Sequence, residues 1–329
     1  MINKLTTMKN YNSIDLMKFV MALCVVTIHT FYVEIMEPSI IRDLLHSLIC
    51  SAVPFFFIVS AFFAMRCMDS TTFWRYWKRI LWLYLSWGII NFVGYSIIEQ
   101  NLTLEKVQSA AYDLLTNGYS VLWYMWGILV VLPILRKIRH GGASPIIYLV
   151  IALCMYLFNR AYTHYGSMEN PGTIWSWAVF LYQGKYFGIT NFCIAMTYLS
   201  IGTFFMQSEF RPSKKICWLL IIVGAVEMHF EKYKGVALGV PVIAFGLFCL
   251  VENWHLNCNW MSFRWLRKMS TLIYFIHGVV IVGISQVVSG KGICELVIWS
   301  IIILCCIAIS ALLLKLSKMK GLQWIAELY

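Results

Sequence analysis

The sequence has little charge for its length. Only 12% of its 329 residues are charged and 60% are hydrophobic, whereas soluble domains carry roughly 25% charged residues. Acidic residues are the scarcest, with 15 Asp and Glu against 26 Lys and Arg. A water-soluble fold of this size cannot hide so much apolar surface, so lipid must be the solvent for much of the chain.

Metal-binding and repeat signatures are also missing. The eleven cysteines form no CxxC pair and lie mostly inside apolar runs, so they indicate small core hydrophobes, not metal ligands or a disulfide framework. We expect no metal and no bound cofactor. The chain has no internal repeat, no low-complexity tract and no loop long enough for a soluble domain. It therefore predicts a single transmembrane domain over residues 1–329.

The apolar runs predict an all-α polytopic membrane protein with about ten transmembrane helices, because a spanning helix needs roughly 20 apolar residues. The predicted spans are 12–33, 44–65, 79–98, 120–136, 145–160, 187–206, 216–230, 235–251, 269–288 and 293–314. The aromatic stretch Thr173–Gln183 is predicted to lie at the outer interface or in a re-entrant element.

Basic residues test this topology. With the N-terminus inside, 18 Lys and Arg fall in cytoplasmic segments, 7 fall in outer segments, and Lys18 lies within the first span. This bias predicts that both ends are cytoplasmic. The net charge of +11 is thereby explained by topology, and nucleic-acid binding is not expected.

The first predicted span carries three ionisable residues, Asp15, Lys18 and His29. Each is costly in hydrocarbon, so each is expected to face the bundle interior or water. Lys18 and His29 are eleven residues apart, so they share a helix face at a separation of about 16 Å, and Asp15 can reach Lys18. The structural alternatives are a snorkelling lysine at a helix end and a histidine that is hydrogen-bonded to a carbonyl.

This stretch resembles the opening of the acyltransferase-3 family, in which an acid is followed by an arginine and then a histidine. Lys18 stands where the family has the arginine, and Ala61 replaces a common glycine in the second-span signature. The other similar segments keep the family's order: Val53–Phe63, Trp74–Trp87, Leu122–Trp126 and Tyr274–His277.

The resemblance implies transfer of an acyl group, usually acetyl from cytoplasmic acetyl-CoA, to a hydroxyl. The acceptor is usually a cell-surface glycan or a lipid-linked sugar on the outer side. The implied partners are thus acyl-CoA, the sugar acceptor and membrane lipid, and the implied location is a bacterial plasma (inner) membrane. The sequence does not name the acceptor.

Within that chemistry, His29 is the candidate general base, because an imidazole titrates near neutral pH. Asp15 either positions or neutralises Lys18, and His277 orients His29, binds substrate or makes a structural hydrogen bond. The candidate cations for the CoA phosphates are Lys18, Arg75, Lys78 and Arg79. The last three could equally serve as positive-inside anchors.

The start of the fourth span offers Trp123, Tyr124 and Trp126, as either an aromatic belt or a platform for an acceptor sugar. Ser60 is interpreted as a helix-packing residue and not as a nucleophile. Glu227 and His229 lie near the outer end of the short seventh span, where Glu227 is either a functional-site candidate or a residue that reaches the interface.

Two other functions stay open. A transporter or exporter could use the intramembrane Asp15, Lys18, His29 and Glu227 as a proton path, although the chain lacks a two-fold repeat. A sensing or scaffold module without catalysis is the third interpretation.

Overall fold

The computed structural model describes residues 11–30, 39–66, 70–168, 176, 179–180, 188–231, 237–254, 256, 263–289 and 291–329. No strand occurs among these residues, which are almost all helical. The predicted all-α class is therefore confirmed. Most of Thr173–Gln183 lies outside the described residues.

The helices are numbered here in chain order. They are α1 Asn12–Thr30, α2 Ile40–Cys50, α3 Ala52–Ala64, α4 Ser70–Glu99, α5 Leu104–Thr116, α6 Trp123–His140, α7 Pro145–Gly166, α8 Ile189–Gln207, α9 Lys214–Phe230, α10 Gly239–Glu252, α11 Phe263–Val288 and α12 Glu295–Leu316. Short 3₁₀ helices cover Ser120–Leu122 and Gln323–Leu328.

Each of the ten predicted spans overlaps a helix, and eight helical segments of the described chain are long and apolar enough to cross a membrane. The two that fall short are α9, with 17 residues, and α10, with 14. At 1.5 Å per residue α10 is only about 21 Å long, against a hydrocarbon core of about 30 Å. These two helices pack antiparallel, because Cys217 lies beside Gly246 and Gly224 beside Gly239.

Glu227 has a structural role in this helix pair. Its carboxylate accepts hydrogen bonds from the backbone N–H groups of Leu238, at 3.0 Å, and Gly239, at 2.6 Å, where α10 begins. A carboxylate at a helix N-terminus satisfies unpaired donors and complements the helix dipole. Nearby, His229 Nδ1 lies 2.6 Å from Asp43 Oδ2, which links α9 to α2.

Helices α1, α4 and α11 run in the same direction. Asp15 lies near Arg267 at one end, and His29 stacks on His277 farther along. Trp87 of α4 stacks on Phe275, with ring centroids 4.9 Å apart. All three helices therefore begin at one end of the bundle, called here the basic end because Arg75, Lys78, Arg79, Arg264, Arg267 and Lys268 lie there.

The centre of the bundle is α3, whose Phe55, Phe57 and Ile58 are fully buried. It packs closely on α8 because Gly202 has no side chain. A Cβ on Gly202 would overlap the carbonyl of Ile58 and come within 2.9 Å of the Ala61 Cβ.

We expect Gly202→Ala to destabilise the protein by about 1–3 kcal/mol, the usual cost of overpacking a dense core. The matched control is Gly283→Ala, whose new Cβ would lie 3.5 Å from Ile98, an ordinary contact. Thermal unfolding of both variants in detergent measures the effect. Equal melting temperatures for the two variants would contradict the close α3–α8 packing.

Candidate active site

The three ionisable residues of α1 meet α11 along its length. At the basic end, Arg267 Nη1 lies 3.7 Å from Asp15 Oδ2. Asp15 is largely buried, and Lys18 is one turn farther along α1. A buried carboxylate is costly without a counter-charge, so Asp15 and Arg267 stabilise each other. The predicted Asp15–Lys18 neighbourhood thus includes a second cation, from a distant part of the sequence.

A cavity of about 180 Å³ opens beside these charges. Its polar lining is contributed by α1, α3, α4, α6 and α11 and comprises Lys18, Ser60, Tyr76, Tyr124, Arg267, Ser270, Thr271 and Tyr274. The ammonium of Lys18 also lies 5.4 Å from the centroid of the Phe63 ring. With two cations in the lining and one carboxylate nearby, the cavity suits an anionic ligand.

Hydroxyl groups form part of the cavity wall. The hydroxyls of Ser60 and Tyr124 are 2.7 Å apart, and the Tyr124 hydroxyl also lies 3.3 Å from the carbonyl of Phe56. Tyr274 donates to the carbonyl of Val121 at 2.5 Å. These bonds fix both tyrosines, and they give Ser60 a packing partner.

One turn beyond the cavity, His29 and His277 stack with their ring centroids 5.5 Å apart and their planes at 23°. His277 Nδ1 lies 2.6 Å from the carbonyl of Tyr274. A carbonyl only accepts, so Nδ1 donates and Nε2 of the neutral ring keeps its lone pair. His277 is fully buried, and its Nε2 has no hydrogen-bond partner among the described residues.

His29 differs from His277 in its access. It is exposed, whereas His277 is fully buried, and no hydrogen bond to its ring occurs in the described part of the chain. The stack on His277 supports one face of the His29 ring and leaves its nitrogens without a partner among the described residues. This arrangement is chemically suited to proton transfer by His29 with His277 as a rigid support.

The other predicted cations lie outside the cavity. Arg75, Lys78 and Arg79 are exposed on the first turns of α4, although Tyr76 between them lines the cavity. Arg79 donates to the backbone oxygen of Tyr329 at 2.5 Å. The ammonium of Lys268 lies over the ring of the same tyrosine.

The three aromatic residues at the start of α6 lie in different surroundings. Tyr124 lines the cavity, Trp123 packs against Phe57, and Trp126 donates from its indole to the carbonyl of Leu115 at 3.0 Å. This start lies inside the bundle and not at its edge, because Tyr124 is bonded to Ser60 well within α3.

Sequence reasoning missed Arg267 and Tyr274 as cavity residues. In the sequence, Arg267 lies in a basic cluster with Arg264 and Lys268, and the positive-inside rule alone explains such a cluster. A usable signal was the spacing: Arg267, Thr271 and Tyr274 are separated by four and three residues, so they share one face of a helix. That face leads into the Tyr274–His277 segment.

The acyltransferase-3 family model, described as an acyltransferase domain, matches residues 11–315. An amino-acid racemase from Enterococcus faecalis is 24% identical over 345 aligned positions, which cover 93% of this chain and 46% of that protein. The chain thus spans about half the length of this curated relative. No solved structure matches the chain. Because the family model covers nearly the whole sequence, the chain belongs to the acyltransferase-3 family.

Proposed function

We propose that this membrane acyltransferase transfers acetyl from cytoplasmic acetyl-CoA to a hydroxyl of a cell-surface glycan or lipid-linked sugar. The observation that carries the proposal is the parallel pairing of α1 and α11. It brings Lys18 and Arg267 together at the cavity and His29 against His277 beyond it. The racemase activity in the relative's name is that of a longer protein and is not part of this proposal.

The proposed orientation places both chain ends in the cytoplasm, in a bacterial plasma (inner) membrane. The basic end is then cytoplasmic, in agreement with the positive-inside rule. Helices α9 and α10 form an antiparallel pair that crosses the membrane together or not at all, so the number of spans is even in both cases. An even number of spans puts both chain ends on the same side, which supports this topology.

In the proposed donor site, Lys18 and Arg267 bind phosphate oxygens of CoA. Arginine supplies a planar fork and lysine a point charge, and Asp15 holds Arg267 in place. Arg75, Lys78 and Arg79 at the same end raise the local concentration of the anionic donor. Tyr124 and Tyr274 line the path towards the histidines.

In the proposed transfer step, His29 accepts the proton of the acceptor hydroxyl as its oxygen attacks the thioester carbonyl. The new C–O bond forms, the C–S bond breaks, and the departing CoA thiolate takes up the proton. His277 acts as a positioning residue, because its ring supports His29 and its Nδ1 is anchored on the carbonyl of Tyr274.

Mass spectrometry of surface glycans and lipids tests the function. Cells that contain the protein should carry an acetylated species that is lost when the gene is deleted and restored by the wild-type chain. Identical glycan and lipid profiles with and without the protein would contradict acyl transfer to the cell surface. CoA-independent flux of a small molecule in vesicles would instead favour the transport alternative.

A further inference from the structure

A second, polar cavity lies at the other end of α4. It has a volume of about 460 Å³ and is formed between α4, α5 and the turn that leads into α6. We call it the polar vestibule, and its lining includes Tyr95, Glu99, Lys106, Asp113 and Tyr119. Its volume is within the range of about 300–1,000 Å³ that is typical of small-molecule sites.

The polar vestibule lies close to the His29–His277 pair. On α4 the donor cavity extends to Leu83 and the vestibule begins at Phe92, so about 14 Å of helix separates them. The hydroxyl of Tyr95 lies against Gly278, the residue after His277. The His29–His277 pair therefore lies between the donor cavity and the vestibule.

The charges in the vestibule, two carboxylates and one ammonium, disfavour an anionic ligand and suit an uncharged polar one. Lys106 Nζ lies 2.6 Å from Glu99 Oε2, so this pair offers both donors and acceptors at almost no net charge. Ser109 and Asp113 follow Lys106 by three and seven residues and extend the same face of α5. Carboxylate, ammonium and hydroxyl groups together match the hydroxyls of a polyhydroxylated ligand.

Aromatic rings form the other wall. Tyr119 packs edge-on against Phe92, with centroids 6.2 Å apart, and against Tyr95, at 6.1 Å. Tyr95 is bonded to Ser120 at 2.9 Å. Flat amphipathic rings beside hydrogen-bonding groups can cover the C–H face of a sugar ring while its hydroxyls are bound.

An apolar slot of about 170 Å³ adjoins the vestibule and shares Phe92, Ala110 and Tyr119 with it. The rest of the slot is lined by α4 and α5, including Ala111. Helix α5 has no buried residue, so the slot lies at the periphery of the bundle, where hydrocarbon chains reach. A polar cavity joined to an apolar slot fits a ligand with a polar head and an apolar tail.

We propose that the polar vestibule and the apolar slot together bind a glycolipid, with the sugar in the vestibule and the first part of the hydrocarbon chain in the slot. The role of this glycolipid as acyl acceptor rests on the proposed function. Its binding does not, because it requires neither acyl-CoA nor transfer.

Binding is measured on the whole protein in lipid nanodiscs without acyl-CoA, with empty nanodiscs as reference. The probes are glucose, galactose and N-acetylglucosamine, their octyl glycosides below the micellar concentration, and octanol. We expect at least one octyl glycoside to bind ten or more times tighter than its free sugar, and octanol not to compete.

Substitutions at two positions, with one control, separate the halves of the site. Asp113→Asn should weaken both the sugar and its octyl glycoside at least tenfold, whereas Glu105→Gln, an exposed carboxylate on the same helix, should change neither. Ala111→Phe, or the milder Ala111→Leu, fills the slot and should remove only the advantage of the octyl chain.

The site is overturned if no probe binds saturably, if octanol competes as well as the glycoside, or if Asp113→Asn leaves binding unchanged. Intact glycolipid binding without any acyl transfer would overturn the proposed function and leave this site standing. Transfer to a cell-surface acceptor without probe binding would overturn this site and leave the proposed function standing.

Discussion

We expect His29→Ala to lower the rate of acyl transfer sharply while the protein still inserts into the membrane. A positioned general base contributes about 10²- to 10⁴-fold to the rate, so the rate of transfer should fall by at least about 100-fold. Stability should change little, because His29 is exposed and its described contact is the stack on His277. The measurement is the initial rate of label transfer from acetyl-CoA by purified protein with its acceptor.

The matched control is His140→Ala, which removes an exposed histidine at the end of α6. Its rate should equal that of the wild type. Binding of acetyl-CoA to His29→Ala should also persist, because Lys18 and Arg267 remain. A wild-type rate in His29→Ala would show that another group accepts the proton.

We expect Arg267→Gln and Lys18→Met to weaken the binding of acetyl-CoA. Hydrogen bonds to charged groups contribute about 1.5–3 kcal/mol, which corresponds to roughly 10- to 150-fold in affinity. Each variant should therefore raise the Kd of acetyl-CoA by about tenfold or more. Isothermal titration calorimetry in detergent or nanodiscs measures it.

Arg264→Gln is the control for Arg267→Gln, because Arg264 lies one turn earlier on the same helix and is not among the described residues that line the cavity. It should leave the Kd unchanged. Arg267→Lys should lie between wild type and Arg267→Gln, since it keeps the charge and loses the fork. An unchanged Kd in Arg267→Gln would move the donor site away from this cavity.

Much of the fold was predictable because lipid imposes a strong rule on sequence. Long apolar runs marked every predicted span, and α1 and α12 were placed within a few residues. The rule is least informative for α9 and α10, because these helices have 17 and 14 residues, fewer than the roughly 20 of a full span. It also gave no reason for Glu227 of α9, whose carboxylate caps the N-terminus of α10.

The site was less predictable, because it depends on pairing between distant helices. Asp15, Lys18 and His29 could be placed on one face from their spacing alone. That Arg267 faces Asp15 and that His277 stacks on His29 follows only from the parallel packing of α1 against α11. Basic residues near a helix end satisfy topology and binding equally well, so charge counting could not separate Arg267 from Arg264.

Transfer across sealed vesicles of known orientation tests the central claim most directly. Labelled acetyl-CoA is supplied to one face only, and the label on lipid-linked sugar or glycan is then measured. We predict acetylated product only when the donor reaches the face that carries Arg75, Lys78 and Arg79, and none with His29→Ala. Transfer supported only by donor at the opposite face, or no CoA-dependent product from either face, would contradict the account.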